Sequence, residues 1–186
     1  MKTEVKTEST AMYVVRIAAT LLITSGVAAL LAGVNSITAP AIEKLTAQKT
    51  QEAIEAVLPG GGEPVENYTD NTGLVSKVYK GANGYALEVL PSGFDNTITM
   101  MVGVDTEGKV LGISIISHTE TAGLGAVAAA ATTAGEAFRS QFVGMSGSVS
   151  VSKDGGEVDA LTGATITSRA VCTGINAALA CVANMG

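Results

Sequence analysis

Apolar and polar positions follow three successive rhythms along this chain. From Ile17 to Val34 the residues are almost wholly apolar or small, and no charged residue stands between Arg16 and Glu43. At about 1.5 Å rise per residue that run covers roughly 27 Å, close to the hydrocarbon thickness of a bilayer. It predicts a transmembrane helix over 17–38, after a tail over 1–16 whose polar leader, Met1 to Thr10, is expected to be disordered. Next, Ile42, Leu45, Ile54, Val57 and Leu58 recur with approximate helical period until Pro59-Gly60-Gly61-Gly62 stops them, and Pro40 suits a first helical turn. A connecting helix over 39–59 follows. In the third part, 60–186, the stretches Leu74 to Tyr79, Tyr85 to Leu90, Ile98 to Val104 and Val110 to Ile116 are β-branched and bounded by turn residues. They predict strands, with Asp105-Thr106-Glu107-Gly108-Lys109 as a hairpin turn. The Ala-rich tract from Ala126 and the stretch Gly135 to Gly144 read as helices, Val149-Ser150-Val151 as a short strand, and Ile166 to Val182 as a closing helix. Strands and helices in separate runs define an α+β domain with an antiparallel sheet and packed helices.

Composition sharpens the picture. Of 186 residues 47% are hydrophobic and only 15% charged, against roughly 25% charged in an ordinary soluble domain, which agrees with a membrane segment. A net charge of −6, no basic block and 4% aromatic residues exclude nucleic acid as a partner. A cleaved signal peptide is the alternative to an anchor, since Ala39-Pro40-Ala41 fits a loose cleavage pattern behind Lys2, Lys6 and Arg16. The apolar run exceeds the roughly 7 to 15 residues of a signal core, which favours the anchor. Lys2, Lys6 and Arg16 outnumber Lys44 and Lys49 on the other flank, so the N-terminus is expected inside and the domain outside the cell. Cys172 and Cys181 fall on opposite faces of the closing helix, about 13.5 Å apart along its axis, and read as packed thiols rather than a bridge. With a single histidine, His118, no metal-ligand set forms.

Two motifs carry candidate chemistry. Asp159-Ala160-Leu161-Thr162-Gly163-Ala164-Thr165 runs directly into Ile166-Thr167-Ser168-Arg169 at the start of the closing helix. A helix N-terminus with small residues and clustered hydroxyls can hold a phosphate. It can equally be an ordinary N-cap in which Thr162 or Thr165 bonds a backbone N–H. The second motif is His118-Thr119-Glu120-Thr121-Ala122-Gly123-Leu124-Gly125. Its glycines would let backbone approach a flat ring, with Thr121 and Glu120 bonding a polar edge and Leu124 packing on a face. The plainer alternatives are a solvated Glu120, a surface His118, and turn residues Gly123 and Gly125.

Together, in this order, the motifs resemble those of the FMN-binding domain family. The resemblance implies that Thr165 carries FMN through a phosphoester on its side-chain oxygen, with Asp159, Thr162, Gly163, Ala164 and Thr167 around it. His118, Glu120, Thr121, Gly123, Leu124 and Gly125 would line the flavin. Ala122 stands where proline is common, Ala126-Val127 where polar or basic residues often follow, and Met145 where lysine is common. From about Met12 onward the layout resembles the G subunits of Rnf electron-transport complexes, and the related C subunits of sodium-pumping NADH:quinone reductases are usually longer. This implies a single-pass protein of the inner membrane with its FMN domain on the extracytoplasmic side. Its expected partners are the other membrane subunits of the complex, a flavin transferase for maturation, and membrane lipid. It would carry electrons during ferredoxin:NAD+ oxidoreduction coupled to ion transport, with ferredoxin and NAD+ bound elsewhere and no acid, base or nucleophile of its own. A free-standing anchored FMN protein and a non-redox anchored binding domain are the competing classes.

Overall fold

The computed structural model describes residues 10–185, so the expected disorder of the leader falls, but for Thr10, outside the described residues. The chain divides into two compact units, one ending at Ala47 and one starting at Gln48.

The described residues of the first unit, 10–47, are helical and belong to α1, Thr10–Val57. Their apolar side chains, among them Leu21, Leu22, Ile23, Leu30 and Leu31, are exposed, and the segment is long and apolar enough to cross a membrane. Its hydroxyls bond within the helix: Thr20 donates to the Arg16 carbonyl at 2.9 Å, Ser36 to Gly33 at 2.8 Å and Thr38 to Val34 at 2.9 Å. Polar atoms satisfied by their own helix suit a hydrocarbon surrounding. Pro40 does not open a second helix but lies inside α1; it removes one ladder bond, and the ladder continues on either side.

In the second unit, β1 (Glu63–Val65), β2 (Val75–Lys80), β3 (Gly84–Val89), β4 (Thr99–Asp105) and β5 (Val110–Ser117) form one antiparallel meander in chain order. Leu87 pairs with Val102, and Val102 with Ile113. One face packs on α3 (Thr165–Ala183) through Leu87, Val89, Met100, Val102, Val171 and Ile175. The other packs on the last turns of α1, where Ala53, Ile54, Val57 and Leu58 bury against Ala86 and Met101. A side chain at Gly103 would strike the Val57 backbone, so the last turn of α1, within the second unit, lies directly on β4. The central strands are therefore covered on both faces. The four expected strands lie within a residue or so of β2–β5, while β1, three residues containing a proline, has no periodicity to announce it.

The helices differ more. The Ala-rich tract is only a 3-10 turn, Gly125–Ala129, because Arg139 donates to the carbonyls of Ala128 at 2.7 Å and Ala130 at 3.0 Å and takes acceptors that a continuing helix would use. The next helix, α2, spans Thr133–Ser140 behind a Thr132 cap. It stops before Gly144, whose N–H bonds the Val110 carbonyl at 2.7 Å while Val110 N–H bonds Met145 at 2.9 Å. Val149–Val151 is not a strand: Val151 makes an isolated bridge to Val158. The amide of Asn176, on α3, closes both backbone groups of Val149 at 2.8 Å. Cys172 and Cys181 are free and both buried, since α3 is enclosed on nearly all sides. Burial pushes the Cys172 thiol up to about 11.

Candidate functional site

The exits of β5 and the entry of α3 meet. Leaving β5, the chain turns at His118, whose Nδ1 accepts the Glu120 N–H at 3.2 Å. This turns Glu120 inward, where it is 7% exposed. Its Oε1 accepts from the N–H of Phe94 at 2.9 Å and of Asp95 at 3.4 Å, and its Oε2 accepts from the Thr167 hydroxyl. Thr167 is itself 2% exposed. Glycine is required around this carboxylate: a Cβ at Gly125 would stand 2.5 Å from both Glu120 Oε2 and Thr167 Oγ1, and one at Gly93 would strike Oε1. Glu120 is thus no solvated loop residue; it ties the 92–97 turn and the second motif to the first turn of α3.

Beside this knot opens a cavity of about 290 Å³, lined by Glu120, Thr121, Leu124 and Gly125 from the second motif and by Gly163, Ala164, Thr165 and Thr167 from the first. Phe94, Lys153 and Ile166 complete it. Phe94 (64% exposed), Leu124 and Ile166 are among the few large apolar side chains that the second unit leaves open to solvent, and all three stand here. Gly163, at φ +74°, turns the chain into α3 and keeps the wall low against Leu124.

Thr165 is the first residue of α3. The N-cap is Ala164, and no side chain caps this end. The cap arrangement open to Thr162 and Thr165 on sequence grounds is not adopted, and the first-turn N–H groups have no intrahelical partner. The Thr165 hydroxyl accepts instead from Lys153 Nζ at 3.2 Å. Ser168 braces the approach, accepting the Leu161 N–H and donating to the Ala164 carbonyl, each at 3.0 Å. Asp154 is bound by Arg169 through Nε at 2.6 Å and Nη2 at 2.7 Å, which holds its carboxyl below the usual range.

The remaining expected residues stand outside the lining. His118 faces a different hollow, with Lys49, Ser114 and Ala129. Asp159 is held through its backbone by the Gln141 amide, at 2.8 and 3.3 Å. Thr162 is exposed, and Gly123 forms a turn at φ +77°. Conversely, Phe94 and Lys153 belong to the site with no motif to mark them. Larger hollows, of about 480 Å³ beside Tyr68 and Tyr85 and about 800 Å³ between Gln141 and Val158, touch neither Glu120 nor Thr165.

Residues 93–180, which contain both motifs and every residue of the cavity, match the FMN-binding domain family. The similarity extends over the full length in individual proteins. The chain is 32% identical to the G subunit of the ion-translocating oxidoreductase complex of Methanosarcina acetivorans, covering 89% of this chain and 93% of the relative. It is 30% identical to the G subunit of the Na(+)-translocating ferredoxin:NAD(+) oxidoreductase complex of Acetobacterium woodii, over 100% and 99%. Over about half of each chain it is 38% identical to the proton-translocating counterpart of Clostridium ljungdahlii. The chain belongs to the family of G subunits of ion-translocating (Rnf) oxidoreductase complexes.

Proposed function

We propose that this chain is the electron-carrying subunit of a membrane-bound, ion-translocating ferredoxin:NAD+ oxidoreductase and holds FMN covalently through Thr165. The observation that carries the reading is the Thr165 hydroxyl, at the mouth of the cavity on an uncapped helix end beside an ammonium group. The residues fit the cofactor. Lys153 and the free N–H groups of α3 suit the phosphate, while Phe94, Leu124 and Ile166 offer apolar surface to the ring system. At about 290 Å³ the cavity lies just below the roughly 300–1,000 Å³ of small-molecule sites, so part of the FMN would rest on this open apolar rim.

FMN, when bound, supplies one- and two-electron transfer; the chain's own residues bind and orient it. In forming the ester, the Thr165 Oγ–H bond and one P–O bond of an activated flavin phosphate donor brought by a flavin transferase would break as the Oγ–P bond forms, the proton leaving with the displaced phosphate oxygen group; relative to FMN the attached group has lost one water. The segment 17–38 sits in lipid, 39–59 connects, and 60–186 forms the FMN-binding domain on the extracytoplasmic side of the inner membrane, beside the other membrane subunits. Asp159, Thr162, Gly163 and Ala164 form the sequence presented to the transferase, and Glu120, Thr121, Leu124, Gly125 and Thr167 shape the flavin side, with His118 acting only by turning Glu120 inward and Gly123 only by making the turn before Leu124.

Chain purified from its native membrane is expected to carry one FMN less water, an added mass of roughly 438 Da, on the peptide containing Thr165, and to fluoresce after denaturation. Thr165→Ala abolishes both and leaves the melting temperature nearly unchanged; Thr165→Ser, which keeps a hydroxyl, retains them. A native chain of unmodified mass would refute the covalent reading.

A further inference from the structure

We propose that Lys153 is the positioning cation of the attachment site: its ammonium sets the Thr165 hydroxyl and receives the charge of the flavin phosphate. This rests on the reading of Thr165 as the point of attachment.

Among the described residues that line the cavity, Lys153 is the basic one. An ammonium has three donors, and the Thr165 hydroxyl takes one of them, at 3.2 Å. The segment that carries it is tied to the helix it serves. Lys153 lies in a 3-10 turn, Ser152–Asp154, closed by Gly155 N–H on the Ser152 carbonyl at 3.1 Å and held at its entry by Ser152 N–H on Val158 at 2.8 Å. The neighbouring Asp154 receives both contacts of Arg169, one helical turn beyond Thr165. An exposed ion pair of this kind adds little to stability. Its geometric consequence is larger: the turn bearing Lys153 is locked in register with the helix bearing Thr165.

The charges agree. No acidic residue stands in the first turn of α3. The carboxylate in the cavity, Glu120, has its oxygens occupied by the Phe94 and Asp95 N–H groups and the Thr167 hydroxyl. A phosphate is therefore drawn to the Lys153 side, where a phosphodiester keeps one negative charge for the ammonium to pair.

The test uses the full-length chain in detergent, produced without a flavin transferase, and compares FMN with riboflavin, which lacks the phosphate, by flavin fluorescence. Wild type is expected to prefer FMN. Lys153→Met loses about tenfold in FMN affinity with riboflavin affinity unchanged, and Lys153→Arg keeps the preference. Unchanged riboflavin binding also reports an intact fold. With a transferase supplied, Lys153→Met carries the 438 Da adduct on a smaller fraction of chains than wild type, and Lys153→Arg restores it. The proposal is overturned if wild type shows no preference for FMN, or if Lys153→Met keeps both the preference and the attachment. Failure of wild type to gain the adduct while still preferring FMN would count against the Thr165 ester and leave Lys153 as the phosphate partner.

Discussion

Glu120 is the side chain on which both motifs depend. Removing its carboxylate leaves the buried Thr167 hydroxyl without its acceptor, at about 1–3 kcal/mol, and at smaller cost frees the part-buried Phe94 N–H. Glu120→Ala is expected to lower the unfolding free energy by about 2–4 kcal/mol, and Glu120→Gln by less, since the amide oxygen still accepts; urea titration measures both. Gly125→Ala places a methyl group 2.5 Å from Glu120 Oε2 and Thr167 Oγ1 and should cost about 1–3 kcal/mol by overpacking. Cys172 gives a pH test. Burial raises its thiol to about 11 in the folded chain, whereas an unfolded thiol ionises near 8.5. Between those values the folded state binds more protons than the unfolded one, so this group's contribution to stability falls as pH rises from about 8.5 to 11. Below that window the folded chain should resist maleimide at Cys172 and react only after denaturation.

The helical elements were less legible than the strands, and the reasons are specific. Strand periodicity in 74–116 is written in neighbouring residues, so β2–β5 appear nearly where expected. The Ala-rich tract has helical propensity, yet Arg139, from the following helix, claims the Ala128 and Ala130 carbonyls. In the same way the Asn176 amide takes the backbone of Val149 out of any sheet. Asn176→Ala should cost about 1–3 kcal/mol, with faster hydrogen exchange confined to the segment around Val149. A uniform rise across the sheet would instead mean that this clamp supports the entire core.

The full chain joins an exposed apolar helix to a unit with its own core. It should stay with the membrane through alkaline carbonate extraction, while a chain starting at Gln48 should be soluble and keep the sheet. Protease added to intact spheroplasts should degrade the FMN-binding domain if it lies outside; protection until lysis would place it inside. Relatives named for sodium and for proton translocation both resemble this chain, so likeness to them favours neither ion.

The order of residues alone determined the anchor, the four main strands, the closing helix, and the two motifs with Thr165 at a helix start. Each depends on periodicity or on a contiguous run, which neighbours along the chain already contain. Folding decided the rest. It brought Phe94 and Lys153 to the cavity from segments that carry no motif, buried Glu120 under Thr167, and placed His118, Asp159, Thr162 and Gly123 outside the lining. A hydrogen bond or a cavity wall is set by which distant group arrives to complete it, and no local pattern records that.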